Sequence, residues 1–448
     1  MVATIPIGQA NCMRVLVVLA LFQLPGSACF AAPASLNAQL QSAIEIVAAQ
    51  YKVPGVSVSI GIASEGTPRN FVTGRATIAP DSPAINDATL FQVGSVTKPL
   101  TAILILMLEA RGLFDIDDPA GHYVSGFPSW RTATIRQLLN MTAGLKSYSD
   151  EDVVRFWCIL KQRPGRRWTS RELLRLGASF APETNFPPGA GWNYSNTNYV
   201  LAGMIARVVS DLPLPLLYRR LIFNRRPAQM PDTYYFPSAY PHAVLDRIAH
   251  GYVRQNLEIE GCGVIFPLDA DVTLVNGSWA KAAGAVVSTS NDLVRGFNAL
   301  FRGELLPRAQ FDEFTARVSA EDGQPVSGSR VHNAYGLGMD YDYTEVTGPF
   351  WFKNGETLGY NAFVIHFSCL AMTYALTKSS ATDLDQTDDM GALQAAILNT
   401  LLTSDEFAAA YHDYIAAHAL PAYCAEFDIH LPATPPSPLD TPGPGGDF

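Results

Sequence analysis

Hydrophobic positions are most concentrated from Leu100 to Leu108, where almost every side of a helix would be apolar. This pattern is typical of a helix buried on all faces rather than of an amphipathic surface helix. Pro99 fits the first turn, where no backbone N–H is needed, and Gly112 suits the end. The sequence therefore predicts a buried central helix that begins near Ser95.

The remaining periodicity places strands at both ends of the chain and helices between them. Val56 to Ile62 alternates strictly, which predicts a half-buried strand, and Phe71 to Gly74 reads as its partner. Helical spacing predicts helices at Ser35 to Tyr51, Ile135 to Met141, Ser170 to Phe180, Tyr199 to Ser210, Met390 to Leu402 and Glu406 to Ala417. Further strands are predicted at Gly284 to Ser288, Gly336 to Tyr343, Phe350 to Lys353, Asn361 to Phe367 and Leu370 to Thr377. Asp211 to Ala243 is rich in Pro and Arg and is predicted to be a surface excursion.

This distribution predicts a two-part α/β body, of the α+β kind, whose sheet is assembled from sequence-distant segments. We place its α/β part at residues 35–95 and 282–430, and an all-helical part at 96–281. Residues 431–448 are rich in Pro and Gly and are expected to be disordered.

The N-terminal segment, residues 1–32, has the pattern of a signal peptide. Arg14 precedes the apolar run Val15 to Phe22, and small residues follow at Ala31 and Ala32. The run is shorter than the ~20 residues that a membrane span needs, and no later stretch is long and apolar enough. A periplasmic or secreted location is therefore expected; anchoring by a lipid on Cys29 is an alternative.

Composition limits the classes of molecule that the protein can be expected to bind. Charged residues make up 16% of the 448, which favours a large buried core, and the net charge is −10. An acidic chain without a basic run is a poor match for nucleic acid or an anionic membrane surface. Neither is therefore expected to be a main partner, and the oligomeric state is left open; a small-molecule or peptide substrate is implied only by the resemblance described below.

The cysteines do not suggest a metal site, since there is no C-x-x-C and no H-E-x-x-H. Outside the N-terminal segment the chain has Cys158, Cys262, Cys369 and Cys424. They allow up to two disulfides, and four buried free thiols are the alternative.

Ser95 and Lys98 stand three residues apart at the start of the central helix, so their side chains share one face. A buried lysine should lose its charge readily, and a neutral amine beside a hydroxyl is a general base beside a nucleophile. The alternative is a capping serine with a lysine that reaches the surface. Ser278 to Lys281 repeats the S-x-x-K spacing without a long apolar helix behind it.

Two further groups carry chemistry. Tyr194 and Asn196 follow a proline-rich turn, and positive neighbours would lower the pKa of the tyrosine so that it exchanges protons. Lys353 and Gly355 share one face of an aromatic strand, where the glycine lets a substrate approach and the lysine supplies positive charge. Taken singly, Tyr194 and Asn196 also fit a turn that only packs, and Lys353 and Gly355 also fit an edge lysine with a turn glycine.

Together and in this order, these motifs resemble the serine β-lactamase and penicillin-binding superfamily, in its class C β-lactamase and D-alanyl-D-alanine carboxypeptidase branch. The resemblance runs from about Ser35 to Leu402. It includes S-V-T-K from Ser95, Y-S-N from Tyr194, T-I-R-Q-L-L-N-M-T-A-G-L from Thr134, F-P-P-G-A-G-W from Phe186, A-A-G-A-V-V-S-T-S-N-D-L from Ala282 and Y-G-L-G-M from Tyr335. It implies an antiparallel sheet flanked by helices and joined to an all-helical part, with the site at the junction.

The resemblance also implies residue roles. Ser95 would be the acylated nucleophile, Lys98 its base and Tyr194 the proton carrier. Asn196 would orient the substrate amide and Lys353 would form an electropositive wall. The backbone N–H groups of Ser95 and Glu356, the latter after Gly355, would bind the oxyanion. Acyl transfer and hydrolysis of this kind need no metal and no cofactor.

The third motif departs from the family pattern, because it is K-N-G-E rather than K-T-G or H-x-G. Glu356 places a carboxylate beside the expected carboxylate-binding spot, which should disfavour substrates with a free C-terminal carboxylate. The main expectation is a secreted serine hydrolase of peptide or β-lactam amides. The alternatives are an esterase or D-amino-acid amidase on the same scaffold, and a penicillin-binding sensor that acylates without turnover.

Overall fold

The structure is a computed structural model that describes residues 34–62, 65–254, 257–259, 263–381, 389–427, 429 and 431. The predicted signal peptide, residues 1–32, lies outside the described residues, as does nearly all of the predicted tail.

Thirteen helices run through the described residues, together with short 3-10 turns. They are α1 (Leu36–Gln50), α2 (Thr97–Glu109), α3 (Ile135–Leu139), α4 (Val153–Gln162), α5 (Ser170–Gly177), α6 (Asn196–Ser210), α7 (Leu214–Tyr218), α8 (His242–Leu245), α9 (Lys281–Gly284), α10 (Ser290–Phe301), α11 (Arg308–Thr315), α12 (Asp389–Leu402) and α13 (Asp405–Ala417). In this part of the chain no helix by itself has the length and apolar composition of a membrane span. Asn196–Ser210 and Leu214–Phe223, which meet at 82°, pass that test only as a pair.

The strands lie mostly near the two ends of the described chain. They are β1 (Gly55–Ile62), β2 (Arg69–Gly74), β3 (Phe91–Gln92), β4 (Tyr234–Tyr235), β5 (Tyr252–Val253), β6 (Leu257–Ile259), β7 (Gly263–Phe266), β8 (Ala270–Asp271), β9 (Val286–Ser288), β10 (Arg317–Ser319), β11 (Pro325–Val326), β12 (Ala334–Tyr335), β13 (Asp340–Thr344), β14 (Gly348–Thr357), β15 (Tyr360–Phe367), β16 (Met372–Lys378) and β17 (Ser380–Ala381).

Nine of these strands form one antiparallel sheet in the order β11-β10-β12-β13-β14-β15-β16-β1-β2. The two ends of the chain meet where β1 pairs with β16, with Val56 opposite Lys378. Helices α1, α12 and α13 pack with one face of this sheet, and α10 packs against β1 and β16. The predicted antiparallel sheet flanked by helices is therefore confirmed; the exact domain boundaries stay a prediction.

The predicted central helix is α2, and twelve of its thirteen residues, from Thr97 to Leu108, are buried. It lies in the larger of the two main apolar cores, among α3, α6 and α11. Ser95 itself precedes the helix in a 3-10 turn, Gly94–Val96. The helix thus holds its N-terminal end against the edge of the sheet.

Two expectations about burial are wrong, one for strand β1 and one for the segment from Asp211 to Ala243. Strand β1 is buried along its whole length instead of on one face, because α10 covers the second face. The polar residues there are satisfied within the protein, since the Ser57 and Ser59 hydroxyls lie 2.8 and 2.7 Å from the hydroxyl of Ser290.

The expected surface excursion at Asp211 to Ala243 instead contains α7 and a π-helical turn, Arg219–Phe223. Tyr218 in this segment is fully buried, and its hydroxyl lies 2.6 Å from that of Thr101 on α2. The many Pro and Arg residues of the segment made it look solvent-exposed, although it also carries an apolar face that packs on the central helix.

Cys369 and Cys424 form a disulfide with an S–S distance of 2.05 Å. Cys158 is also disulfide-bonded. Cys262 lies outside the described residues. The alternative of four free thiols is therefore wrong.

Candidate active site

The structure brings the sequence-predicted residues together at the N-terminal end of α2. Ser95 lies in the turn before this helix and Lys98 in its first turn. Tyr194 lies in the loop before α6, of which Asn196 is the first residue. Lys353 lies on β14, so the site forms where the helical part meets the sheet.

Lys98 is the centre of the hydrogen bonding. Its Nζ donates to Ser95 Oγ at 2.8 Å, to Asn196 Oδ1 at 2.7 Å and to the carbonyl oxygen of Ala283 at 3.0 Å. The side chain is fully buried. Each of the three possible N–H donors of the ammonium form therefore has an acceptor within the protein.

Burial lowers the pKa of Lys98 well below the ordinary value for lysine, and the positive charge of Lys353 lowers it further. The sequence predicted this direction. A neutral amine at 2.8 Å from Ser95 Oγ is placed to take the hydroxyl proton, which makes the serine a nucleophile.

Tyr194 donates a hydrogen bond from its hydroxyl to Ser95 Oγ at 2.8 Å. Its ring lies 4.7 Å from Lys98 Nζ and 4.8 Å from Lys353 Nζ. The expectation of a lowered pKa is nevertheless wrong. Burial raises the pKa of Tyr194, and this outweighs the opposing effect of Lys353. Tyr194 is therefore a neutral phenol, so its first step in catalysis is to donate a proton rather than to accept one.

Lys353 is paired rather than isolated. Its Nζ lies 2.9 Å from a carboxylate oxygen of Asp340, and only 5% of its side chain is exposed. Burial lowers the pKa of Lys353, but Asp340 and Tyr194 raise it by more, so the lysine is held charged. Its charge is offset by Asp340, and the wall beside Ser95 carries less positive charge than the sequence suggested.

Two glycines allow the serine turn and β14 to touch. Gly94 has a φ of +49°, and a Cβ there would lie 2.4 Å from the backbone nitrogen of Glu356. A Cβ on Gly355 would lie 2.0 Å from the carbonyl oxygen of Val93 and 3.0 Å from the nitrogen of Ser95. The backbone N–H groups of Ser95 and Glu356 therefore lie at one junction, as an oxyanion site requires.

Within the described residues, the same part of β14 pairs with a neighbouring strand on one side. Pairing with β13 ends at Phe352, opposite Asp340, whereas pairing with β15 continues to Thr357. Residues 353–357 thus lie along a sheet edge that faces the serine turn.

Asn196 has a role that the sequence did not indicate. Its Oδ1 accepts from Lys98, and its Nδ2 donates to Ser149 Oγ at 2.9 Å. Both ends of this amide are engaged within the protein, so it positions Lys98 before it meets any substrate.

Sequence reasoning missed Asp340, Ser147, Ser149 and Asp150. Asp340 directly follows the block Y-G-L-G-M, and the S-Y-S-D run lies shortly after T-A-G-L. These polar residues next to recognised blocks are the signal that could have found them.

The second S-x-x-K pair has a structural role. Ser278 is buried, and its hydroxyl accepts a hydrogen bond from the backbone of Trp168 at 2.8 Å. Across the described part of the chain, no group of three or more His, Cys, Asp or Glu side chains could hold a metal ion.

Known proteins share this arrangement of elements. The sequence profile described as Beta-lactamase matches residues 40–397. Penicillin-binding protein 4* of Bacillus subtilis is 26% identical over 302 residues, which cover 66% of this chain and 63% of that protein. The chain thus spans less than two thirds of the length of this curated relative.

Two solved structures match nearly over their whole length. A D-stereospecific amidohydrolase from Streptomyces sp. has a TM-score of 0.65 at 27% identity, covering 80% of this chain and 98% of its own. The D-amino acid amidase of Ochrobactrum anthropi, in complex with D-phenylalanine, has a TM-score of 0.67 at 25% identity, covering 82% and 100%. With the family profile matching most of its length, this chain belongs to the beta-lactamase family of serine hydrolases.

Proposed function

We propose that the protein is a serine amidohydrolase that cleaves amides of D-amino acids through an acyl-enzyme on Ser95. The observation that carries this proposal is the charge balance beside the nucleophile. Lys353 is offset by the carboxylate of Asp340 at 2.9 Å.

The reaction follows from the geometry. Lys98 takes the proton of Ser95 Oγ, which attacks the substrate carbonyl carbon. The oxyanion is held by the backbone N–H groups of Ser95 and Glu356. Tyr194 gives its proton to the leaving nitrogen as the C–N bond breaks, and it is reprotonated from the Lys98 ammonium. Water then attacks the carbonyl carbon of the ester while Lys98 takes its proton. The C–O bond to Ser95 breaks, Ser95 Oγ takes that proton back from Lys98, and the acid product leaves.

The charge balance selects among acyl donors. A penicillin or a peptide ending in D-alanine brings a carboxylate, which Lys353, offset by Asp340, would attract only weakly. An amino acid amide brings an ammonium group and an uncharged leaving group. The carboxylate of Asp340 favours such a substrate, and a β-lactam or carboxypeptidase substrate is therefore the weaker match.

The comparisons support the same class. The two solved structures reported above are named as an amidohydrolase and an amidase that act on D-stereoisomers, and both cover about four fifths of this chain. The stereochemistry of the proposal rests on this similarity, whereas the preference for an uncharged leaving group rests on the charges of the site.

A substrate panel tests the proposal. The mature protein is given D-phenylalanine amide, its L isomer, its N-acetyl derivative, p-nitrophenyl acetate and benzylpenicillin, with Ser95→Ala as the control. We expect the D amide to have the highest kcat/KM, N-acetylation to reduce it at least tenfold, and Ser95→Ala to abolish turnover.

Other results would redirect the assignment. Rapid loss of benzylpenicillin would indicate a β-lactamase, and a lasting penicillin adduct on Ser95 would indicate a penicillin-binding sensor or peptidase. Turnover of the ester alone would indicate an esterase. Amide hydrolysis that survives in Ser95→Ala would overturn the mechanism itself.

We also propose that the protein works in the periplasm or outside the cell. Its Cys369–Cys424 disulfide is a kind of bond that persists in oxidising compartments. Fractionation of the native host, with detection of the protein in the periplasmic or culture fraction, tests this location, and a purely cytosolic signal would contradict it.

A further inference from the structure

A chain of hydrogen bonds runs from Lys98 to a carboxylate that the acyl-transfer steps do not use. Lys98 Nζ donates to Asn196 Oδ1, and Asn196 Nδ2 donates to Ser149 Oγ at 2.9 Å. The hydroxyls of Ser149 and Ser147 lie 3.3 Å apart, and Ser147 Oγ donates to Asp150 Oδ2 at 2.5 Å. Both serines are buried, with 6% and 1% of their surface exposed.

The carboxylate gives this chain a direction. Asp150 Oδ2 accepts from the Ser147 hydroxyl, so the Ser147 proton points at the carboxylate. Burial raises the pKa of Asp150, whereas hydrogen bonds from Ser147 and Ser149 and the charge of Lys98 favour its ionised form. The Ser147 oxygen is then available as an acceptor, and the backbone N–H of Asn196 reaches it at 3.3 Å. Ser149 likewise accepts from the Asn196 side chain. With this polarity, the amide oxygen rather than the amide nitrogen faces Lys98.

The orientation of that amide decides where the Lys98 lone pair points. A neutral amine has two N–H groups, and the two fixed acceptors away from the nucleophile are Asn196 Oδ1 and the Ala283 carbonyl oxygen. When both N–H groups are used there, the lone pair is left facing Ser95 Oγ. A reversed amide would place N–H groups against Lys98 and turn the lone pair away.

We propose that Asp150 is a positioning residue that keeps the Asn196 amide, and through it the Lys98 lone pair, oriented for deprotonation of Ser95. This inference rests on the proposed acyl-transfer function and extends its machinery beyond Ser95, Lys98 and Tyr194. The other ionisable groups whose charges act on Asp150 or are affected by it are Lys98, Glu151, Tyr148 and Tyr194.

The test measures the reactivity of Ser95 itself, so that the substrate assignment does not enter. The rate of labelling by a fluorophosphonate probe is followed against pH in the wild type, Asp150→Asn, Asp150→Glu and Ser147→Ala. Glu151→Gln is the matched control, because it removes a neighbouring carboxylate that pairs with Lys146 at 2.8 Å and lies outside the chain of hydrogen bonds. The melting temperature of each variant is recorded.

We expect Asp150→Asn and Ser147→Ala to lower the plateau rate about tenfold, the effect of one misdirected buried hydrogen bond. Asp150→Asn should also move the acidic limb to lower pH, because the Asp150 charge raises the pKa of Lys98. Asp150→Glu should recover most of the rate, and Glu151→Gln should label like the wild type.

Three results would overturn the inference. Wild-type labelling by Asp150→Asn with an unmoved acidic limb would show that the carboxylate does not act through Lys98. Equal slowing in Glu151→Gln would show a general charge effect. If Asp150→Asn does not fold, the double variant Ser147→Ala with Ser149→Ala replaces it, because Asp150 interacts with both hydroxyls. A wild-type labelling rate in that double variant would equally overturn the inference. Absence of labelling in the wild type would instead remove the proposed function as well.

Discussion

Lys98 is the residue whose chemistry depends most on its surroundings. Its amine is buried among three acceptors and lies near a second lysine, and both burial and that lysine lower its pKa. The base form must be neutral, so activity should appear as the pH rises through this lowered pKa. Any change that removes a positive neighbour raises the pKa of Lys98 and should therefore move the acidic limb of the pH–activity profile to higher pH.

The first prediction therefore concerns Lys353→Met. Removing this charge raises the pKa of Lys98, so the acidic limb of kcat/KM should move to higher pH, with a reduced plateau because an oriented charge is lost. The pH profile for an uncharged ester substrate measures it. A limb that stays in place or moves to lower pH would show that Lys353 does not act on Lys98.

Asp340 gives a second prediction at the residue scale. Asp340→Asn removes the charge that offsets Lys353, but it also removes the main group that raises the pKa of this buried lysine. Acylation by benzylpenicillin should therefore become faster, about tenfold, at the lower end of the active pH range where Lys353 stays protonated, and this gain should disappear as the pH rises. Stopped-flow or intact-mass measurements of the adduct give the rate. Asp342→Asn is the control, because this carboxylate is on the same strand but pairs with His332 at 2.6 Å. An equal gain in both variants would refute the local explanation.

At the scale of elements, the site depends on how closely β14 meets the turn before α2. The turn and the strand approach through Gly94 and Gly355, with no room for a side chain on either. This contact joins the helical part to the sheet and sets the separation of the two backbone N–H groups. The elements are therefore held in register by backbone contact rather than by side-chain packing.

Gly355→Ala should separate the turn from the strand. The new methyl would lie 2.0 Å from a backbone oxygen, which must shift, so we expect a destabilisation of about 1–3 kcal/mol and a loss of kcat of at least a hundredfold. Thermal unfolding and steady-state kinetics measure the two effects. Gly165→Ala is the control, since nothing lies within 4 Å of its added methyl. Near-wild-type activity in Gly355→Ala would contradict the claim that catalysis needs this close contact between β14 and the serine turn.

The sequence predicted most helices and strands because their periodicity is local, and it predicted the candidate site because three short motifs carry it. It failed where packing from elsewhere decides the outcome. Ser57 and Ser59 looked solvent-facing, but a helix from residue 290 onward covers them. The pKa of Tyr194 depends on its burial, and the pairing of Lys353 depends on Asp340 in a neighbouring strand. Neither can be seen from spacing along the chain.

At the scale of the whole molecule, a disulfide ties the C-terminal end of the described chain to the sheet. Cys369 lies in the turn between β15 and β16, and Cys424 lies in a 3-10 turn after α13, at a sequence separation of 55. This loop includes α12 and α13, which cover one face of the sheet. The bond therefore restrains the helices that close the smaller main core.

Replacing both cysteines, Cys369→Ser with Cys424→Ser, should lower the free energy of unfolding by up to about 4 kcal/mol, the loop-entropy value for this separation. Activity at low temperature should be unchanged, because the bond is remote from Ser95. Thermal unfolding with and without reductant measures the effect. Because Cys158 is also disulfide-bonded, the double variant without reductant isolates this bond, and an unchanged melting temperature there would show that the bond contributes nothing.

The pairing of β1 with β16 has a consequence for biosynthesis. Val56 emerges from the ribosome long before its partner Lys378, so the sheet cannot close while the chain is being made. Folding must wait for a contact of very long sequence separation, which is slow. Lys353 and Glu356 also arrive late, so the nucleophile near residue 95 stays inactive until the last quarter of the chain has joined. Catalysis can therefore begin only after this late part of the chain has folded against the nucleophile.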